Sequence, residues 1–105
     1  MAKIVIKKRV ELGFLGEEYE KDYLEFSSLP LSEYEKLLDQ LEGVQEDNRK
    51  SLQLIKDILE SRFLSGKFQD EEVVKEDLQQ FDLETLTRCF ELFTGRRTDE
   101  NLEKA

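Results

Sequence analysis

From Glu46 to Ser65 the chain reads EDNRKSLQLIKDILESRFLS, and apolar residues return at steps of three and four: Leu52, Ile55, Leu59 and Phe63, with Ile58 beside them. That spacing lines one face of an α-helix. Asp47, Arg49, Lys50, Lys56, Asp57 and Glu60 take the wetter positions. Glu46 and Asp47 suit the positive start of the helix dipole, and Gly66 supplies a C-terminal stop. A helix of about 20 residues is roughly 30 Å long, enough to cross a small domain. No other apolar stripe in the chain runs so far, so the remaining elements are expected to pack against it.

What precedes this stretch has a different period. Ile4, Ile6, Val10 and Leu12 alternate along one face of an expected strand over Ile4–Leu12, with Lys8 interrupting them. Gly13-Phe14-Leu15-Gly16 marks a turn. A second strand is expected over Tyr19–Ser27, with Asp22, Leu24 and Phe26 on one side and Tyr19, Lys21, Tyr23 and Glu25 on the other. The two form an antiparallel hairpin with a loop of about four to six residues. An isolated hairpin is barely stable in water, so this one needs a helix on its apolar face or another chain along its edge.

Pro30 ends the hairpin, because proline cannot join the interior of a ladder. Ser32 and Glu35 match a capping box, and Tyr34, Leu37, Leu38 and Leu41 mark the buried face of a short helix closed by Gly43. After Gly66 the pattern reads as a loop, with a short helix near Lys75–Gln80. Asp82 is a good N-cap for a last helix over Leu83–Phe93, whose apolar face is Leu86, Cys89, Phe90 and Phe93 and whose stop is Thr94-Gly95. Residues 96–105 have no apolar periodicity and are expected to be a disordered polar tail. The expectation is a single α+β domain over residues 1–95: an N-terminal antiparallel β-hairpin followed by three or four α-helices.

Composition narrows the function classes. The formal charge is −9, from 25 acids and 16 bases, and residues 1–10 hold Lys3, Lys7, Lys8 and Arg9 with no acid. The rest therefore carries 12 bases against 25 acids, a net −13. Such a body repels phosphate backbones, which argues against nucleic-acid binding. No apolar run approaches the length of a membrane span, and there is no signal-peptide pattern at the N-terminus. Cys89 is the only cysteine, so no intrachain disulfide forms, and a free thiol fits a reducing compartment.

Little of the chain points to chemistry. With no histidine the commonest general base and metal ligand is missing. Asp70, Glu71 and Glu72 cluster, but their spacing lacks the alternation and the glycine of a calcium loop. Cys89 has no histidine to activate it and sits on an apolar face, as a small buried hydrophobe does. The glycines around Phe14-Leu15 do not fit a phosphate-binding loop. The expectation is a non-enzyme with no catalytic residues, no cofactor and no metal. Its surface is then the functional part. Phe14 and Leu15 at the hairpin tip, with Tyr19 and Tyr23, are the candidate partner-binding residues. The hairpin edges are a second docking surface, and a homo-oligomer is one use of them.

Three segments together carry a resemblance: KKRVELGFLGEEYEKDYLEF (7–26), RFLSGKF (62–68) and EDLQQFDLETLTRCFELFTG (76–95). Their order and spacing resemble the small tail assembly chaperones of long-tailed, siphovirus-type bacteriophages and prophages. Together the three segments cover most of residues 4–95. The resemblance implies a protein without catalytic residues that binds the tape measure protein, keeps it soluble and helps recruit tail tube subunits. It implies a place in the cytoplasm of the bacterial host and absence from the mature virion. It also implies, for many such phages, a longer product made by ribosomal frameshifting. Two other readings stand beside it: an acidic inhibitor that imitates nucleic acid, and a bacterial cytosolic protein-interaction domain. Against the mimic, bases alternate with acids along Glu46–Ser65, as on an ordinary solvated surface.

Overall fold

The computed structural model describes residues 2–95. The expected polar tail over 96–105 lies outside the described residues. The rest is an α+β fold with the N-terminal hairpin in place. Strand β1 (Lys7–Glu11) pairs antiparallel with β2 (Tyr23–Ser27), from Lys7 opposite Ser27 to Glu11 opposite Tyr23. Both strands are shorter than their sequence pattern. Ile4 and Ile6, expected on the apolar face, are 77% and 56% exposed, because no element among the described residues packs over them. The connection is also longer than expected. Residues 12–22 wind through two 3-10 turns, Gly13–Leu15 and Glu17–Tyr19, so Tyr19 belongs to the loop and not to the strand. Gly16 sits between the turns at φ 145°, a conformation that favours glycine.

Helix α1 (Leu31–Gly43) starts one residue before the expected cap. Pro30 holds the N-cap position and Ser32 lies inside the first turn, making no capping bond. Proline suits this place: its φ of −58° is already near helical and it carries no N–H to leave unpaired. Helix α2 (Asn48–Arg62) is the centre of the Glu46–Ser65 stretch. Asp47 caps it, accepting from the Lys50 N–H at 3.1 Å. Ile55 and Leu59 are buried, with Leu54 and Ile58 packed beside them. Its C-terminal Arg62 forms an ion pair with Glu33 of α1 and reaches the Ser27 hydroxyl of β2 at 3.5 Å.

The largest departure from expectation follows Arg62. Phe63–Phe68 is not a last helical turn and a stop but a strand, β3, paired antiparallel with the free edge of β2. Phe26 lies opposite Phe63, yet Glu25 lies opposite Ser65, so Leu64 is the extra residue of a bulge. Gly66 is therefore not a helix stop. It sits opposite Leu24, where an added Cβ would stand 2.8 Å from the Leu24 Cδ2 and 2.9 Å from the Tyr23 carbonyl oxygen. Only glycine lets the two backbones approach there.

The expected loop after Gly66 holds a second hairpin. Strand β4 (Glu71–Glu72) pairs with β3 through a two-residue turn, Gln69-Asp70, with φ of 49° and 68°. Positive φ at both central residues is the type I′ geometry, which usually calls for Asn-Gly. Here buried Asp22 supports it: its Oδ1 accepts the Gln69 N–H at 3.1 Å. A 3-10 helix at Lys75–Gln80 follows, where a short helix was expected. Helix α3 (Leu83–Thr94) then closes the fold, capped by Asp82, whose Oδ1 accepts the Thr85 N–H at 2.9 Å, and ended by Gly95 at φ 75°.

The sheet order is β1-β2-β3-β4. The helices cover the face that carries Val10, Leu24 and Phe26. These join Leu37, Leu41, Ile55, Leu59, Leu86, Cys89, Phe90 and Phe93 in one core. The opposite face presents Arg9, Glu11, Tyr23, Glu25, Ser65 and Lys67 in exposed or half-exposed positions, as is common when an antiparallel sheet is covered on one side. Lys8, the polar interruption on the inner face, donates from Nζ to the Phe93 carbonyl at 3.0 Å. It thereby satisfies a C-terminal carbonyl of α3 and places a cation at the negative end of that helix.

Two measurements check this arrangement. Gly66→Ala should destabilise the fold by about 1–3 kcal/mol in urea unfolding, since overpacking outweighs the ~0.4–1 kcal/mol that alanine contributes by restricting the unfolded chain. Hydrogen bonds from the Thr85 side chain and backbone hold the Asp82 carboxyl below its ordinary value of 3.8. Its charged form is therefore favoured by folding, and that stability is present above 3.8 and lost as pH falls through the lower folded value. The stability difference between the wild type and Asp82→Asn should be constant near neutral pH and shrink below pH 3.8, read from acid titration of both proteins.

Candidate interaction surface

Cys89 and the acidic cluster are the groups to place first. Cys89 is fully buried in the core, and burial pushes its thiol up to about 12. A thiol in that state is a packing group and not a nucleophile. Asp70, Glu71 and Glu72 are exposed on the β3–β4 turn and on β4. Among the described residues, no three His, Cys, Asp or Glu side chains come together in a way that could hold a metal ion. No helix of the described residues is long and apolar enough to cross a membrane.

The four candidate partner-binding residues fall in three places. Phe14 and Leu15 lie in the first 3-10 turn, held against α3. Leu15 is half-buried and packs on the core, whereas Phe14 is 41% exposed, with the Arg88 guanidinium 6.0 Å from its ring centre. Tyr19 stacks on Phe68, with ring centres 5.3 Å apart and planes at 26°. Tyr23 lies on the open sheet face under the Arg9 guanidinium, 3.9 Å from its ring centre, and Arg9 also pairs with Glu25 at 3.7 Å. Each tyrosine already has a partner stacked on it within the fold.

Phe14 is the side chain around which a surface forms. It separates two adjoining depressions. One, of about 550 Å³, runs along the first half of α3 with Leu15 and Leu83 in its walls. The other, of about 470 Å³, lies between β1 and α3 and is walled by Leu92. Arg88 lines both. Leu83 and Leu92 are 59% and 46% exposed, so three large apolar side chains stand around one cation at this end of the molecule. A smaller depression of about 280 Å³ beside Phe68 and Phe81 is walled by Glu71, Glu72 and Asp77, and its two rings already pack edge to face at 5.7 Å.

Leu83, Arg88 and Leu92 were not singled out from the sequence. A signal was available: both leucines fall outside the buried Leu86, Cys89, Phe90 and Phe93 stripe, so α3 has more apolar side chains than its core face uses. A helix with an apolar remainder on its outer side can dock a second helix or strand. Comparison with family models, with characterised proteins and with solved structures gave no match.

Burial of the thiol has a direct consequence. A thiol-specific reagent should label Cys89 at least ~100-fold more slowly in the native protein than in denaturant, because access requires opening of the core. Rapid stoichiometric labelling under native conditions would show α3 to be loosely held.

Proposed function

We propose that this chain is a non-enzymatic tail assembly chaperone of a long-tailed bacteriophage or prophage, which binds the tape measure protein and helps recruit tail tube subunits. The observation that carries the reading is Phe14, held half-exposed between two depressions against α3, with Leu83, Leu92 and Arg88 around it. The resemblance of the three sequence segments supplies the partner. Aromatic residues and arginine are enriched at protein interfaces, and surrounding apolar side chains such as leucine exclude water from them. A long helical tape measure protein presents apolar stripes that need cover until it is packed. Such a stripe laid along α3 would bury Phe14, Leu83 and Leu92 beside the Arg88–Glu91 ion pair, whose atoms are 3.6 Å apart.

The net charge of −9 fits the rest of the role. An acidic body repels its own copies and keeps a complex with an aggregation-prone client dispersed. The place of action on this reading is the cytoplasm of the bacterial host, with release before the virion matures.

Co-expression tests the proposal directly. The wild-type chain should raise the soluble fraction of the tape measure protein encoded in the same tail gene cluster and co-purify with it. Phe14→Ala should weaken that complex by about fivefold or more while the melting temperature changes little, because half-exposed anchors contribute more to binding than to folding. A folded wild-type chain that neither solubilises nor retains the tape measure protein would refute the proposal.

A further inference from the structure

Strand β1 is the end strand of the sheet, and its hydrogen-bonding pattern shows which of its groups are free. The Ser28 N–H donates to the Ile6 carbonyl at 2.6 Å, and the Leu12 N–H donates to the Asp22 carbonyl at 2.9 Å. In an antiparallel ladder the bonded residues alternate. Ile6, Lys8, Val10 and Leu12 therefore turn their backbone groups toward β2, and Lys7, Arg9 and Glu11 turn theirs away from the sheet. Among the described residues no strand meets those outward groups. The opposite edge, β4, has two residues, whereas β1 has five and is preceded by Ile4-Val5-Ile6, exposed at 77%, 59% and 56%. Natural sheets usually blunt an edge of this kind, often with lysine, and Lys7 and Arg9 here disfavour any added strand that does not carry opposite charge.

The surroundings say what kind of strand would fit. The depression of about 470 Å³ runs beside β1, with Val10 at its base and Phe14, Leu92 and Arg88 around it. Apolar side chains of an added strand would enter there. On the open face the added strand would meet Lys7, Arg9 and Glu11, two bases and one acid, with Arg9 already beside Glu25 and Lys7 free to pair. Residues 2–10 contain four bases and no acid, on a chain that is otherwise strongly acidic. Lys3 and Lys7 have no ion pair among the described residues. A second copy of the same edge, paired antiparallel about Arg9, would set Arg9 against Arg9, which destabilises a cross-strand pair, with Lys7 facing Glu11 on either side.

We propose that the free edge of β1 takes up an extended segment of a partner protein in which acidic residues alternate with apolar ones, added as a fifth strand to the four-stranded sheet. Its acids pair with Lys7 and Arg9, and its apolar side chains lie against Phe14 and Leu92. The inference does not rest on the chaperone reading, but it shares Phe14 and Leu92 with the surface proposed there, so an added strand and a helix on α3 would exclude one another.

The probe is an acetylated and amidated octapeptide alternating Glu with Val and Thr, with its Lys-for-Glu counterpart as control. Saturation with the acidic peptide should slow amide exchange of Lys7, Arg9 and Glu11 by ~10-fold or more, read by NMR, and the basic peptide should leave them unchanged. Lys7→Glu should weaken binding by about fivefold or more at low salt. Lys7→Pro removes an N–H that points away from β2, so the β1–β2 ladder is retained while binding is lost. No slowing at these amides with millimolar acidic peptide would overturn the proposal, and so would equal binding by the wild type and Lys7→Glu. Slowing that grows with protein concentration in the absence of peptide would assign the edge to a second copy instead.

Discussion

The ring of Phe26 is where the fold is tied together. It has no solvent exposure, packs at 5.9 Å edge-on to Phe63 of β3, and lies 5.2 Å from Phe93 of α3. Burying one such ring is worth ~1.5–3 kcal/mol, and each aromatic contact adds about 0.5–1.5 kcal/mol. In a chain of 105 residues that is a sizeable share of the net stability. Because β2 is an inner strand, the same residue sets the position of the strand on one side and of the last helix above the sheet. Gly66 allows β3 to come close enough for Phe63 to reach it, and Lys8 on the neighbouring strand binds the end of the helix that carries Phe93.

Once α3 is held this way, its placement decides what remains on the surface. The helix spends Leu86, Cys89, Phe90 and Phe93 on the core and leaves Leu83 and Leu92 outside. The first 3-10 turn folds back so that Leu15 reaches the core and Phe14 does not. An apolar rim around Arg88 results. On the open sheet face Arg9, Glu25 and Lys67 mix signs, whereas the segment that leads into the β1 edge carries bases and no acid up to Arg9. On the proposed readings, partner binding would draw on the same two elements as folding, β1 and α3.

The elements that could be read from sequence are those whose cause is local. Asp82 caps α3 because its carboxylate reaches the Thr85 N–H, and Gly95 ends it because glycine tolerates a left-handed backbone. Asp22, Leu24 and Phe26 alternate onto the buried face as their period requires. The missed parts depend on distant residues. Gln69-Asp70 carries no glycine to announce a tight turn, and its support comes from Asp22, far back in the chain. The partner-binding candidates divide the same way: aromatic residues near the turn were visible, but only the packing of α3 set Phe14 apart from Tyr19 and Tyr23, which are covered by Phe68 and Arg9.

Sequence alone determined that this chain is small, acidic and α+β and opens with a hairpin, and it located the three α-helices of the described residues, because strand and helix periods and helix caps are short-range properties. The tertiary structure decided the fate of Phe63–Phe68. Its apolar spacing continues the stripe of α2, but β2 offers a row of unpaired backbone groups and Phe26 offers a ring to pack against. A strand there satisfies the β2 edge and buries Phe63, whereas one more helical turn would leave that edge open. Long-range pairing outweighed local periodicity, and the sheet became four strands where the hairpin alone predicts two.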